Sequence, residues 1–123
     1  MPDRSVHVLI LAAPGPWREG LRVLLTAFRR AVTIAEAGEI ATGQILIAQD
    51  PPDIILVDAS LIEAKAAPVL QRIAQSAAGS LCLVLTHSYH QEQQARAAGA
   101  AAILPDGFTT EALYAALDAA IQE

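Results

Sequence analysis

Pro51-Pro52-Asp53-Ile54-Ile55-Leu56-Val57-Asp58-Ala59-Ser60 is the stretch on which the architecture of the chain turns. Four consecutive large aliphatics without polar alternation read as a strand buried on both faces, the pattern of a central strand in a parallel sheet covered by helices. The run ends on an acid. Open α/β sheets place their ligands and chemistry at the carboxyl ends of the strands, so Asp58 is the leading candidate for a functional side chain.

Toward the N-terminus, Ser5 to Ala13 is another β-rich apolar run, ended by Pro14-Gly15-Pro16. Trp17, Leu21, Leu24, Leu25 and Phe28 then recur at helical spacing, opposite Arg18, Glu19, Arg22 and Arg29, which predicts an amphipathic helix. Val32 to Glu36 reads as a short strand, Gly38 as a break, and Ile40 to Gln49 as a helix softened by Gly43 and ended by Pro51 and Pro52. Past Asp58, a loop through Ser60 leads into a helix from about Glu63 to Ala77, with Pro68 in its first turn or at a kink and Gly79 closing it. Leu81 to Thr86 is a second buried strand, with His87-Ser88-Tyr89-His90 as its exit loop. A polar helix over Gln91 to Ala98 stops at Gly99, and Ala101 to Leu104 gives a fifth strand before Pro105-Asp106-Gly107. The last helix runs from Thr110 to Gln122, capped by Thr109 or Thr110, with Leu113, Leu117 and Ile121 facing inward. Five strands alternating with five helices predict a parallel sheet with helices on both faces, an α/β three-layer sandwich in one domain over residues 1–123.

Composition narrows the function. The net charge of −5 provides no electrostatic footprint for nucleic acid or anionic membrane. Seven of the eight basic residues are arginine, and Lys65 is the only lysine. The single cysteine, Cys82, excludes an internal disulfide and fits a reducing, cytoplasmic setting; it reads as a small core residue. Apolar runs are strand-sized, well short of the ~20 residues of a membrane span, and no basic, apolar leader opens the chain.

With these elements in place, the chain resembles the receiver domain of bacterial two-component response regulators, a flavodoxin-like fold with strand order 2-1-3-4-5. The resemblance covers essentially all 123 residues. It rests on Arg18-Glu19-Gly20-Leu21-Arg22-Val23-Leu24-Leu25 and on Pro52 to Asp58, both similar to receivers that precede a LuxR-type helix-turn-helix. Leu83 to Thr86 and Ala98-Gly99-Ala100 add to it. The resemblance implies that Asp58 stands where such domains accept a phosphoryl group from a histidine kinase, and that Thr86 stands at the switch hydroxyl. It also marks departures. The acidic pair that holds Mg²⁺ falls on Ala12 and Ala13, the phosphoryl-pairing lysine on Asp106, and the switch aromatic on Ile103.

Alanine ligates no metal, and Mg²⁺, which wants six oxygens, is poorly served by Asp58 and a backbone carbonyl near Ser60. Phosphoryl transfer depends on positioning and on cations that neutralise spreading charge, so reversing the lysine's sign and losing the acids is expected to slow it by orders of magnitude. Asp106, if turned inward, adds repulsion to Asp58. The reading favoured is a degenerate receiver, a non-enzymatic module with no cofactor and no metal. It meets protein partners (a sensor kinase, an output domain or a second copy) through the face of helix four, strand five and helix five, including Gln91 to Ala98, Ile103 and Tyr114. The alternative is a working phosphoacceptor on Asp58. A flavodoxin-like enzyme or cofactor binder is disfavoured because Ala12-Ala13-Pro14-Gly15-Pro16 offers no hydroxyl for a phosphate. Thr86 reads more simply as a buried hydroxyl satisfied by a neighbouring amide. His87 and His90 read as surface histidines rather than metal ligands. Trp17 reads as packing, or as a cover over the pocket emptied at Ala12 and Ala13.

Overall fold

The computed structural model describes residues 5–62, 68, 71–73 and 79–121. Five parallel strands, β1 (Val6–Leu11), β2 (Val32–Ala37), β3 (Ile54–Asp58), β4 (Leu81–Thr86) and β5 (Ala102–Pro105), form one sheet in the order β2-β1-β3-β4-β5. All five residues of β3 are buried, as its unbroken aliphatic run requires. The register sets Ile10 beside Leu56 and Asp58 beside Leu85, so the end of β3 lies between the ends of β1 and β4.

Strand alternation splits the core into two layers. Val8, Ile10, Leu56, Leu83 and Leu85 face α1 (Pro16–Thr26) and α5 (Thr110–Ile121), meeting Leu21, Leu25, Leu113 and Leu117. Leu9, Leu11, Ile55, Val57 and Val84 face the other way. There they meet Ile47 of α2 (Ile40–Gln49), Ile73 of α3, whose described residues 68 and 71–73 are helical, and Ala95 of α4 (Tyr89–Ala97). The expected three-layer sandwich, strand order and five helices are all found; most of the helix expected over 63–77, with Lys65, lies outside the described residues.

Several local expectations shift for physical reasons. Phe28 lies past the end of α1, yet its ring is buried in the first layer against Tyr114, 5.1 Å between centroids. Helix α4 begins at Tyr89, two residues before the polar run suggested, because Ser88 acts as its N-cap and its hydroxyl accepts the Gln91 N–H at 3.1 Å. It ends as expected at Gly99, in the left-handed region at φ +82°, with Gly99 N–H donating to Arg96 O and Ala100 N–H to Ala95 O. Thr109 is the cap of α5, accepting the Ala112 N–H at 3.0 Å. Gly43 is more than a soft point in α2. A Cβ there would come within 2.3 Å of Leu11 Cδ2, so the glycine lets the helix lie directly on β1. Cys82 is half-buried against the second layer, and burial pushes its thiol up to about 12, which makes it unreactive.

Candidate functional site

Asp58 ends β3 with a side chain only 10% exposed, and neighbouring segments supply an N–H to each carboxylate oxygen. A 3-10 turn, Ala59–Leu61, follows the strand at once and brings the Ser60 N–H to Asp58 Oδ1 at 2.9 Å. From the first turn of α1, Trp17 donates its indole N–H to Asp58 Oδ2 at 3.1 Å. From the exit of β4, His87 Nε2 lies 2.8 Å from Asp58 Oδ1.

The other ring nitrogen of His87 is equally engaged, with Nδ1 2.5 Å from Asp106 Oδ1 in the turn after β5. Ionised carboxylates accept and do not donate, so the full set of contacts requires a proton on both ring nitrogens, an imidazolium. Burial of the ring works against that charge and is outweighed by the hydrogen bonds and charges of Asp106 and Asp58, so the His87 pKa lies above its ordinary value. The ring is held edge-on to Trp17, with centroids 6.1 Å apart, and Trp17 in turn meets Phe108 at 5.9 Å. Gln91 fixes the backbone here, its Oε1 accepting the His87 N–H at 2.6 Å.

Two expectations are corrected by this geometry. His87 is part of the site, not a loose surface histidine; His90 has no part in these contacts. Asp106 does turn toward the site, yet the imidazole between it and Asp58 converts the expected repulsion into a bridge. Neither was found from sequence because the contacts join residues 29 and 19 positions apart. The available signal was a second acid, Asp106, just past a strand end, with His87 standing directly after Thr86.

Trp17, 41% exposed, is bonded to Asp58 and meets the rings of His87 and Phe108. The Ala12 carbonyl accepts from Arg18 Nη1 at 3.1 Å, and Glu36 holds Arg18 and Arg22 in place through ion pairs of 3.3 and 3.0 Å. The site therefore does not fit Mg²⁺. Ala12 and Ala13 offer no side-chain ligand, both Asp58 oxygens face N–H donors, and among the described residues no group of three or more His, Cys, Asp or Glu is placed to hold a metal.

Thr86 is 1% exposed at the end of β4, but its hydroxyl has no hydrogen-bond partner among the described residues, contrary to the expected bond to a neighbouring amide. Ile103, in β5 beside Val84, packs against the second core layer. Tyr114, half-exposed on α5, donates its hydroxyl to Leu24 O at 2.6 Å and so joins α5 to α1. A surface depression of about 510 Å³, lined in part by Arg30, Asp53, Ser80 and Leu81, lies at the opposite end of the sheet from Asp58.

No protein-family model and no curated protein sequence matches the chain. Solved structures do. A response regulator from Thermotoga maritima superposes with a TM-score of 0.83 at 13% identity, over 98% of this chain and 100% of that one. A LuxR-family two-component response regulator from Aurantimonas sp. SI85-9A1 gives 0.82 at 21%, covering 97% and 86%. The signal receiver domain of an HD-domain-containing protein from Pseudomonas fluorescens Pf-5 gives 0.80 at 19%, covering 97% and 96%. The fold is that of receiver domains. At these identities the likeness extends to the fold alone.

Proposed function

We propose that this chain is a degenerate receiver module of two-component-type signalling, acting through protein–protein contact and without Mg²⁺-dependent phosphorylation of Asp58. The observation that carries the reading is the closure of Asp58: Trp17, Ser60 and His87 together engage both oxygens of the one carboxylate that could accept a phosphoryl group. An attacking carboxylate oxygen needs a free lone pair in line with the phosphorus, and a cation to neutralise the phosphoryl oxygens. Here three internal donors take three of the roughly four acceptor sites of the carboxylate, and the side chain that replaces the lysine is acidic. Mg²⁺ is not a cofactor of this site.

The module is non-enzymatic and meets its partners (a sensor kinase, an output domain or a second copy) through α4, β5 and α5, a face that includes Gln91 to Ala98, Ile103 and Tyr114. It contacts neither nucleic acid nor membrane; no described helix is long and apolar enough to cross a bilayer. A cytoplasmic location follows from this reading. One observation favours the alternative of a phosphoacceptor: the unpartnered buried hydroxyl of Thr86 would gain a bond to a phosphoryl oxygen on Asp58. Intact-mass measurement after incubation with a small phosphodonor and Mg²⁺ separates the two. The proposal expects an unmodified mass, and an added phosphoryl group that disappears in Asp58→Asn would overturn it.

A further inference from the structure

The bridge Asp58–His87–Asp106 joins three separate parts of the chain: the end of the central strand, the exit of β4 and the turn between β5 and α5. A positive charge between two carboxylates is held by both, and the geometry requires both ring N–H groups to be present at once. We propose that the resident cation of this pocket is the proton of His87, and that its loss opens the bridge on the Asp106 side and frees the turn at Asp106 and Gly107. The inference rests on the reading that Asp58 takes neither Mg²⁺ nor a phosphoryl group, and it names what regulates the site in their place.

The direction of opening follows from burial. A neutral imidazole keeps one N–H, and its other nitrogen then presents a lone pair to a carboxylate, so one of the two contacts has to break. The Asp58 side chain is 10% exposed and would lose a donor that water cannot easily replace; the Asp106 side chain is 62% exposed and is readily hydrated. The proton therefore leaves Nδ1, and Nε2–H stays on Asp58. The surroundings of the ring leave the decision to these groups. Trp17, Phe108 and Gln91 are uncharged, and Arg18 is committed to Ala12 O and Glu36. Asp58 and Asp106 are the charged groups that raise the His87 pKa, and they outweigh the opposing effect of burial.

The test is a pH titration of the whole chain read by long-range proton–nitrogen NMR of the histidine rings, with the backbone amides of Gly107 and Phe108 followed in the same samples. The expected result is a His87 midpoint above about 6.5, with the proton lost from Nδ1 and retained on Nε2, and with both amides shifting at that midpoint. Asp106→Asn, a change at an exposed side chain, lowers the midpoint and removes the amide shifts; His87→Asn removes them as well. Millimolar Mg²⁺ leaves the midpoint in place. A midpoint at or below about 6.5, a proton retained on Nδ1, amides that ignore the titration, or displacement of the His87 proton by Mg²⁺ would each overturn the inference. The titration contains no phosphodonor, so it fails or succeeds apart from the phosphorylation experiment: a phosphoryl mass on Asp58 sinks the proposed function, and a missing titration sinks the clamp.

Discussion

Replacing Trp17 by Phe removes one polar atom from the site and little else. Phenylalanine retains an aromatic ring against Phe108 and His87, whose centroids lie 5.9 and 6.1 Å from that of Trp17, while the N–H donated to Asp58 Oδ2 at 3.1 Å disappears. A hydrogen bond to a charged group contributes about 1.5–3 kcal/mol. Trp17 is 41% exposed and Asp58 keeps two further donors, so the lower end applies, and the variant is expected to lose about 1.5 kcal/mol. For a domain of this size that lowers the melting temperature by about 4–6 °C. Trp17 is the sole tryptophan, so urea denaturation is followed by far-ultraviolet circular dichroism rather than fluorescence. The decisive form is a double-mutant cycle with Asp58→Ala. Without the acceptor the Trp17→Phe change should cost roughly 0.5 kcal/mol, leaving a coupling of about 1 kcal/mol. An identical cost in the presence and absence of Asp58 would show that the indole N–H does not engage the carboxylate.

Other substitutions probe separate links. Gly43→Ala gains up to about 1 kcal/mol of helix propensity but drives a methyl into Leu11, an overpacking cost of about 1–3 kcal/mol, so a net loss of stability is expected in denaturant melts, partly recovered by Leu11→Val in the same chain. Thr86→Val replaces an unpartnered buried hydroxyl by a methyl of similar shape and should be neutral or stabilising by up to about 1 kcal/mol; a loss beyond that would mean the hydroxyl has a partner. The stability that His87 contributes through the bridge carries a pH signature. Its folded pKa is raised, so the contribution is complete below its unfolded pKa and fades as pH rises through the folded one. The stability gap between the wild type and His87→Asn therefore narrows from acid to alkaline pH, and a gap that widens would contradict the bridge.

Much of the fold was legible because the strongest local signals agreed. The aliphatic run of β3 admits burial on both faces, and the breaks at Pro14-Gly15-Pro16, Pro51-Pro52 and Gly99 fall where the elements end. The shifted boundaries arose where a side chain overrode composition, as when Ser88 capped α4 and drew Tyr89 and His90 into a helix. Gly43 was seen as a weakness because its value lies in a contact with Leu11 that no local window contains. The site divides in the same way. Asp58, Thr86, Ala12, Ala13 and Asp106 stand at or just past strand ends and could be read in order. The donors that meet there could not be placed: Trp17, in the first turn of α1, and His87, at the exit of β4, lie 41 and 29 residues from Asp58, and only the folded sheet brings them to one carboxylate.

The central claim is that Asp58 is closed by the chain's own donors, and the most direct measurement is a crystal structure grown or soaked with beryllofluoride and Mg²⁺. The account predicts no anion on Asp58, with the Trp17 and His87 contacts to its carboxylate intact. Beryllofluoride bound to an Asp58 oxygen beside an octahedral Mg²⁺, with Trp17 displaced, would contradict it.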